Sequence, residues 1–282
     1  MDKNLVGIIP AAGKANRLGP IPCSKEILPI YTPDCCETGQ WRPRVAGDYL
    51  LEKISQANVS RVYMILRDGK WDIPAYFGSG KMLNLNIAYL MMDLPYGVPF
   101  TIDQAYPFIQ DAMVVFGFPD ILFRPRDAFA QLLDRQVNTD ADLVLGLFPA
   151  VETRKMDMVE LDGNDRVCKI EIKPASTTLR YTWIIAVWTA GFSRFMHESV
   201  RDRQAKIKST QSERDKQPEV FVGDIIQEAI AAGLRIDKVV FADGEYLDIG
   251  TPEDLARIPQ FLQKRQAGQA GLLAASKPPE LG

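Results

Sequence analysis

Apolar residues in this 282-residue chain alternate between short continuous runs and longer amphipathic stretches. The runs at Leu5–Ile9, Arg61–Leu66, Ala112–Gly117 and Leu143–Phe148 have the length and the β-branched content of strands buried on both faces. Helical patterns lie between them. The segment Gly47–Ala57 carries Tyr49, Leu50, Leu51 and Ile54 on one side. Asp72–Phe77 reads as a short helix, Leu85–Met92 as a third strand, and Phe100–Gln110 as a helix interrupted by Pro107. Pro125–Val137 reads as a helix with proline in its first turn, where a missing N–H costs nothing. Strand and helix in alternation predict an α/β fold: a Rossmann-like, open, mostly parallel sheet with helices on both faces.

From Met158 the pattern changes. Met158–Leu161, Val167–Ile172 and Tyr181–Trp188 read as a small antiparallel sub-region, with a polar turn at Asp162-Gly163-Asn164-Asp165. A helix starts at Phe192. The charged stretch Arg201–Pro218 is expected to be a mobile loop. Val220–Ala232 is an amphipathic helix stopped by Gly233, Arg235–Phe241 a strand, and Pro252–Lys264 a helix capped by Thr251. Gln266–Gly282 is expected to be a frayed, flexible tail. The layout predicts a single domain over residues 1–265, in two halves of about 1–150 and 151–265.

Composition narrows the function. A net charge of −3 gives no bulk attraction to nucleic acid or to an anionic membrane, so an anion site must be a local gathering of cations. Apolar residues make up 46% and charged residues 24%, enough to bury a full core. No apolar run reaches membrane-spanning length, and Met1-Asp2-Lys3-Asn4 leads into a strand without a signal-peptide layout, so a cytoplasmic location is expected. The cysteines are Cys23, Cys35, Cys36 and Cys168; the adjacent pair is badly placed to bridge itself, which favours a reducing compartment. With His197 as the single histidine, a zinc site or a histidine-based nucleophilic mechanism is disfavoured, and His197 reads as a surface or packing residue on a helix.

The chemistry concentrates after the first strand, in Ala11-Ala12-Gly13-Lys14-Ala15-Asn16-Arg17-Leu18-Gly19-Pro20 and Ser24-Lys25-Glu26-Ile27-Leu28-Pro29. A strand that ends in a small-residue loop leaves N–H groups free to bind an anion. Arg17 adds a planar fork for phosphate oxygens and Lys25 a mobile point charge. The dinucleotide fingerprint fails at Ala15, and the Walker pattern fails because Pro20 follows Gly19. Two aspartates close apolar strands far apart in sequence, Asp120 and Asp248. Taken alone, each is open to two readings: a turn or helix cap, or one of the carboxylates that Mg²⁺ takes alongside phosphate oxygens and water.

Together these segments resemble the sugar-phosphate nucleotidylyltransferases, whose first loop runs roughly A-G-G-x-G-T-R-L-x-P…P-K-x-x-L-P. The departures are Ala15 for Gly, Asn16 for Thr and a shorter gap from Arg17 to Lys25. Asp248-Ile249-Gly250-Thr251-Pro252-Glu253 matches the family's D-x-G-T-P-E in full, and Gly117…Asp120 is similar to its L-G-D-N with two residues inserted. The resemblance covers about Leu5 to Leu262 and implies a GT-A-like nucleotidyltransferase fold with a nucleotide-binding first half and a sugar-phosphate-binding second half.

It further implies Mg²⁺ held by Asp120 and Asp248, with Arg17, Lys25 and Asp120 as catalytic groups. Ala11, Ala12, Gly13, Lys14 and Gly97 would bind nucleotide, Gly97 through Met92-Asp93-Leu94-Pro95-Tyr96-Gly97, which is similar to the family's base-binding loop. Glu171-Ile172-Lys173-Pro174 is similar to E-E-K-P, so Lys173 would bind sugar phosphate, with Glu171 as a substitute for the acid that Ile172 replaces. Trp183 falls in the family's sugar-site segment; a core tryptophan is the alternative. The implied substrates are a nucleoside triphosphate, dTTP or UTP, and a hexose 1-phosphate, with a homo-oligomer expected. Two other readings stay open: a cytidylyltransferase acting on another phosphate, and a catalytically silent nucleotide-sugar-binding regulator, given Ala15, Ile172 and Met92.

Overall fold

Val6 and Ile8 point to one side of the first strand, β1 (Leu5–Pro10), and Ile9 to the other, and all three are fully buried. The structure is a computed structural model that describes residues 4–30, 44–92, 96–206 and 218–275, with side chains as far as Gln263. After β1 come β2 (Pro29–Ile30), β3 (Arg44–Val45), α1 (Ala46–Gln56), β4 (Arg61–Arg67), α2 (Asp72–Phe77) and β5 (Asn86–Met92). Then follow α3 (Val98–Asp103), α4 (Tyr106–Ile109), β6 (Met113–Gly117), β7 (Ile121–Arg124), α5 (Ala128–Thr139) and β8 (Leu143–Pro149). The rest of the chain is β9 (Met158–Leu161), β10 (Val167–Glu171), β11 (Tyr181–Trp188), α6 (Ala190–Lys206), α7 (Val222–Ala231), β12 (Ile236–Val240), β13 (Glu245–Asp248) and α8 (Pro252–Ala275).

Among the described residues, nine strands make one sheet. β5, β4, β1 and β6 are parallel neighbours, in that order. β11 then pairs antiparallel with β6 through Ile185–Trp188 and with β9 through Tyr181 and Thr182, on the same edge. Its other edge pairs along its length with β8, and β12 runs parallel to β8. The antiparallel strands therefore extend the main sheet, because β11 belongs to both regions. Helices cover both faces. Leu50, Leu51 and Ile54 of α1 and Phe129 and Leu132 of α5 lie in one core; Phe192 and Met196 of α6 and Ile225 and Ile226 of α7 lie in the other. A third cluster gathers Leu122, Leu247, Ile249, Ile258 and Leu262, and seats the ribbon of β7 against β13 under α8.

Several predicted bounds change. The helix over Phe100–Gln110 is two short helices, α3 and α4, each with proline in its first turn. The helix read from Pro125 starts at Ala128. Residues 201–206 of the predicted loop are the end of α6, held to α7 by Arg203, which bonds Ser199 and Glu228. The last helix continues past Lys264 to Ala275. Residues 207–217 of the loop, Cys35-Cys36, Trp41-Arg42-Pro43, Asp93-Leu94-Pro95, Met1-Asp2-Lys3 and residues 276–282 lie outside the described residues. Cys23 and Cys168 are free thiols. No helix is long and apolar enough to cross a membrane among the described residues.

Candidate active site

The loop after β1 starts in the core and ends in solvent. Ala11 and Ala12 are buried, and Gly13, Lys14 and Arg17 are exposed. The Ala11 N–H donates to the Ile65 carbonyl at 2.8 Å and so extends the β1–β4 pairing. The N–H groups of Ala12, Gly13 and Lys14 donate to nothing within the described residues. Ala15 takes a left-handed backbone with φ 54° and turns the chain into the short 3₁₀ segment Asn16–Leu18 that presents Arg17. The second 3₁₀ segment, Lys25–Ile27, is fixed from behind. Asp72, at the start of α2, accepts the Ser24 N–H at 2.6 Å and the Ser24 hydroxyl at 2.7 Å. Those bonds hold the Asp72 carboxyl below the usual range although burial opposes this. Glu26 is buried and accepts both available bonds from Lys70, at 2.6 and 2.7 Å. The alternation along this turn sends Glu26 inward and leaves Lys25 facing the site.

Lys25 Nζ donates to Asp120 Oδ2 in an ion pair. Asp120 is buried just past β6, and its carbonyl accepts the Ile249 N–H at 2.9 Å. Antiparallel register sets Asp248 opposite Ile121, so the two aspartates are neighbours across the β7–β13 ribbon. Gly250 leaves room for the Arg17 side chain: a Cβ there would lie 3.1 Å from Arg17 Nη2 and 3.6 Å from Asp248 Oδ2. Arg17, Lys25, Asp120 and Asp248 thus form one group, from four separate places in the sequence. Burial, followed by the Asp120 charge, pushes the Asp248 carboxyl up to about 6, against the pull of Lys25 and Arg17. Burial opposes the Lys25 charge too, but Asp120, Glu26 and Asp248 outweigh it and raise the ammonium above the usual lysine range. A small open pocket of about 30 Å³, lined by Lys155, Tyr246, Asp248, Asp254 and Arg257 among others, lies beside Asp248.

The donor set fits a divalent cation. Two carboxylates lie side by side, one of them pushed toward the neutral form by burial and then by the other, and a cation between them would relieve both. Two carboxylates with other positions left for phosphate and water is the ligand set that Mg²⁺ favours.

A second group lies at the start of β11, beside the C-terminal end of β6. Lys173 has a left-handed φ of 39°, and its Nζ sits 3.6 Å from the centre of the Phe221 ring. Trp183 is buried, with its ring 6.0 Å from that of Phe118, so this group abuts the strand end that carries Asp120. Glu171 turns elsewhere: it bonds Lys169 at 2.8 Å and the Thr177 hydroxyl at 3.0 Å. The acid beside Lys173 is Asp157, which the sequence reading missed. No local signal marks Asp157, because its neighbours Lys173, Trp183 and Asp224 come from distant segments.

Gly97 is accounted for by packing. Its φ is 130°, and a Cβ would run into the Val220 carbonyl oxygen, since the two residues form a parallel bridge and the Val220 N–H donates to the Tyr96 carbonyl at 2.9 Å. Met92 is buried. His197 sits on α6, 2.8 Å from Asp103 and stacked on Tyr106 at 3.8 Å, as a packing residue would.

The nucleotidyl transferase family profile matches residues 6–265. A glucose-1-phosphate thymidylyltransferase of Streptomyces griseus is 25% identical over 259 residues, which are 90% of this chain and 65% of that relative's length. A crystal structure from Bacillus anthracis, provisionally assigned as a glucose-1-phosphate thymidylyltransferase and solved in complex with a sucrose, shares the fold. Its TM-score is 0.73, with 18% identity, over 92% of this chain and 95% of that one.

Proposed function

This chain belongs to the nucleotidyl transferase family, and from that premise we propose that it joins a nucleoside triphosphate, dTTP or UTP, to a hexose 1-phosphate. The products are an NDP-sugar and pyrophosphate. The observation that carries this reading is the meeting of Arg17, Lys25, Asp120 and Asp248 at the carboxyl ends of strands, where open α/β sheets keep their ligands.

The reaction brings two anions together. A phosphate oxygen of the sugar 1-phosphate attacks the α-phosphorus, that P–O bond forms, and the bond to the β-phosphate oxygen breaks as pyrophosphate leaves. Little covalent help is needed, so the work of the protein is to position the groups and neutralise charge. The free N–H groups of Ala12, Gly13 and Lys14 and the Arg17 guanidinium receive the triphosphate and the departing pyrophosphate. Lys25, kept charged by its acidic neighbours, faces the α-phosphate. Lys173 receives the phosphate of the acceptor. Asp120 and Asp248 would hold Mg²⁺, which when bound neutralises phosphate charge.

Pyrophosphate release, measured over the natural nucleoside triphosphates against a panel of sugar 1-phosphates and polyol phosphates with Mg²⁺ and then with EDTA, tests the reading. The expected outcome is metal-dependent release with a hexose 1-phosphate and dTTP or UTP. Release with a polyol phosphate and CTP alone would replace the acceptor assigned here, and binding of an NDP-sugar without any release would replace the enzyme with a regulator.

A further inference from the structure

Asp157 lies in the connection between β8 and β9, and the reading above gives its carboxyl no task. Its backbone is fixed: the Thr182 hydroxyl donates to its carbonyl at 2.9 Å. Its carboxyl accepts from the Lys173 backbone N–H, faces the Lys173 ammonium and the Trp183 indole N–H, and is opposed from α7 by the charge of Asp224. Gly223, in the first turn of α7, makes this close packing possible, because a Cβ there would lie 2.6 Å from Asp157 Oδ2 and would also meet Ile172. Two atoms in the group lack partners: Asp157 Oδ1 and Trp183 Nε1 are both buried without a completed hydrogen bond. Buried polar atoms are seldom left so, and each such case needs an explanation.

Their chemistry states what would satisfy them. An indole N–H only donates and a carboxylate only accepts. A hydroxyl group does both, so one hydroxyl completes the pair; an ammonium would leave the indole unpaired and a carboxylate would leave Asp157 unpaired. The position also fits. The pair adjoins Lys173, and Trp183 packs toward Phe118, two residues before Asp120. The segment just past β10 offers Ile172 next to Lys173, and Glu171 is committed to Lys169 and Thr177.

We propose that Asp157 is the specificity-determining acid of the acceptor subsite, binding one ring hydroxyl of the sugar together with the Trp183 N–H while Lys173 binds the phosphate. This rests on the sugar 1-phosphate reading and names the groups by which this chain selects its acceptor: a hydroxyl at that ring position, with neither an amino nor a carboxyl group in its place.

Calorimetric titration of the full chain with glucose 1-phosphate, and separately with dTTP, tests the proposal in wild type, Asp157→Asn and Trp183→Phe. Both variants are expected to bind glucose 1-phosphate about 10-fold more weakly or worse. Both should hold dTTP within about twofold of wild type, as a contact confined to the acceptor requires. In turnover the acceptor KM rises in both while the dTTP KM stays. Unchanged glucose 1-phosphate affinity in Asp157→Asn overturns the proposal, whether or not Trp183→Phe folds. Binding that weakens for both ligands together also overturns it, because that marks a structural role. A wild type that binds glucose 1-phosphate, loses it on Asp157→Asn, and releases pyrophosphate from no triphosphate would end the catalytic reading and leave the subsite standing.

Discussion

Removing a charge separates residues that act from residues that only fold. Lys25→Met and Asp248→Asn are each expected to lower kcat/KM by at least about 100-fold, the usual loss for a group aimed at transition-state charge. Pyrophosphate release measures this, and circular dichroism checks that the fold is kept. Asp157 gives a second test through pH. Burial raises its carboxyl from the ordinary 3.8 to about 6, with Lys173 pulling the other way and Asp224 adding to the rise. Between these values the native state holds more protons than the unfolded chain, so stability falls as pH rises through that window and stays lower above it. Asn has no such penalty. Asp157→Asn is therefore expected to be more stable than wild type at pH 7 by on the order of 1–3 kcal/mol, and equal to it below about pH 4. Denaturant unfolding at the two pH values measures the difference; a residue kept for stability would give the opposite sign. Legibility follows the same division. Arg17, Lys25 and Asp248 were legible because each sits in a local pattern of small residues, prolines and apolar flanks that the resemblance reads residue by residue. Asp157 was not, since its surroundings are assembled by folding, and Glu171 drew attention only by standing beside Ile172 and Lys173.

At the level of elements, what was legible depended on whether a signal was local. Continuous apolar runs gave β1, β4, β6 and β8 to within about two residues. Proline and charge were weaker guides. Pro99 and Pro107 start two separate helices, and the charged end of α6 remains helical because Arg203 reaches Glu228 on α7. The β7–β13 ribbon had no periodic signature, being four residues against four, yet it aligns the two aspartates. Gly97 shows how a motif residue can serve the scaffold. Gly97→Ala puts a methyl group into the Val220 carbonyl on a backbone that side chains rarely adopt. A loss of about 2–4 kcal/mol is expected from strain and clash. Thermal and denaturant unfolding check it, and an unshifted midpoint would return Gly97 to a purely nucleotide-contacting role.

Across the whole molecule, the two predicted halves share a strand. β11 comes from the second half by sequence, but it completes both β6 and β8 of the first. A fragment of residues 1–150 therefore leaves two buried strands with open edges and is expected to stay unfolded or to aggregate, as exposed apolar edges do. Light scattering and circular dichroism of the fragment test this; a soluble, folded fragment would make the first half a domain of its own. The fold class was legible from alternation alone, and the shared strand was not, because pairing between distant segments leaves no periodic trace in either one.

The ribbon that joins Ile121–Arg124 to Glu245–Asp248 also sets an order of events during synthesis. A ribosome reads out the loop after β1 and Asp120 long before it reaches Asp248, so a nascent chain carries every basic group of that loop and only one of the two aspartates. The two aspartates come together only when strand β13 clips onto β7. A chain cut just before Glu245 keeps all nine strands of the main sheet and lacks Asp248 and the ribbon that sets it beside Asp120.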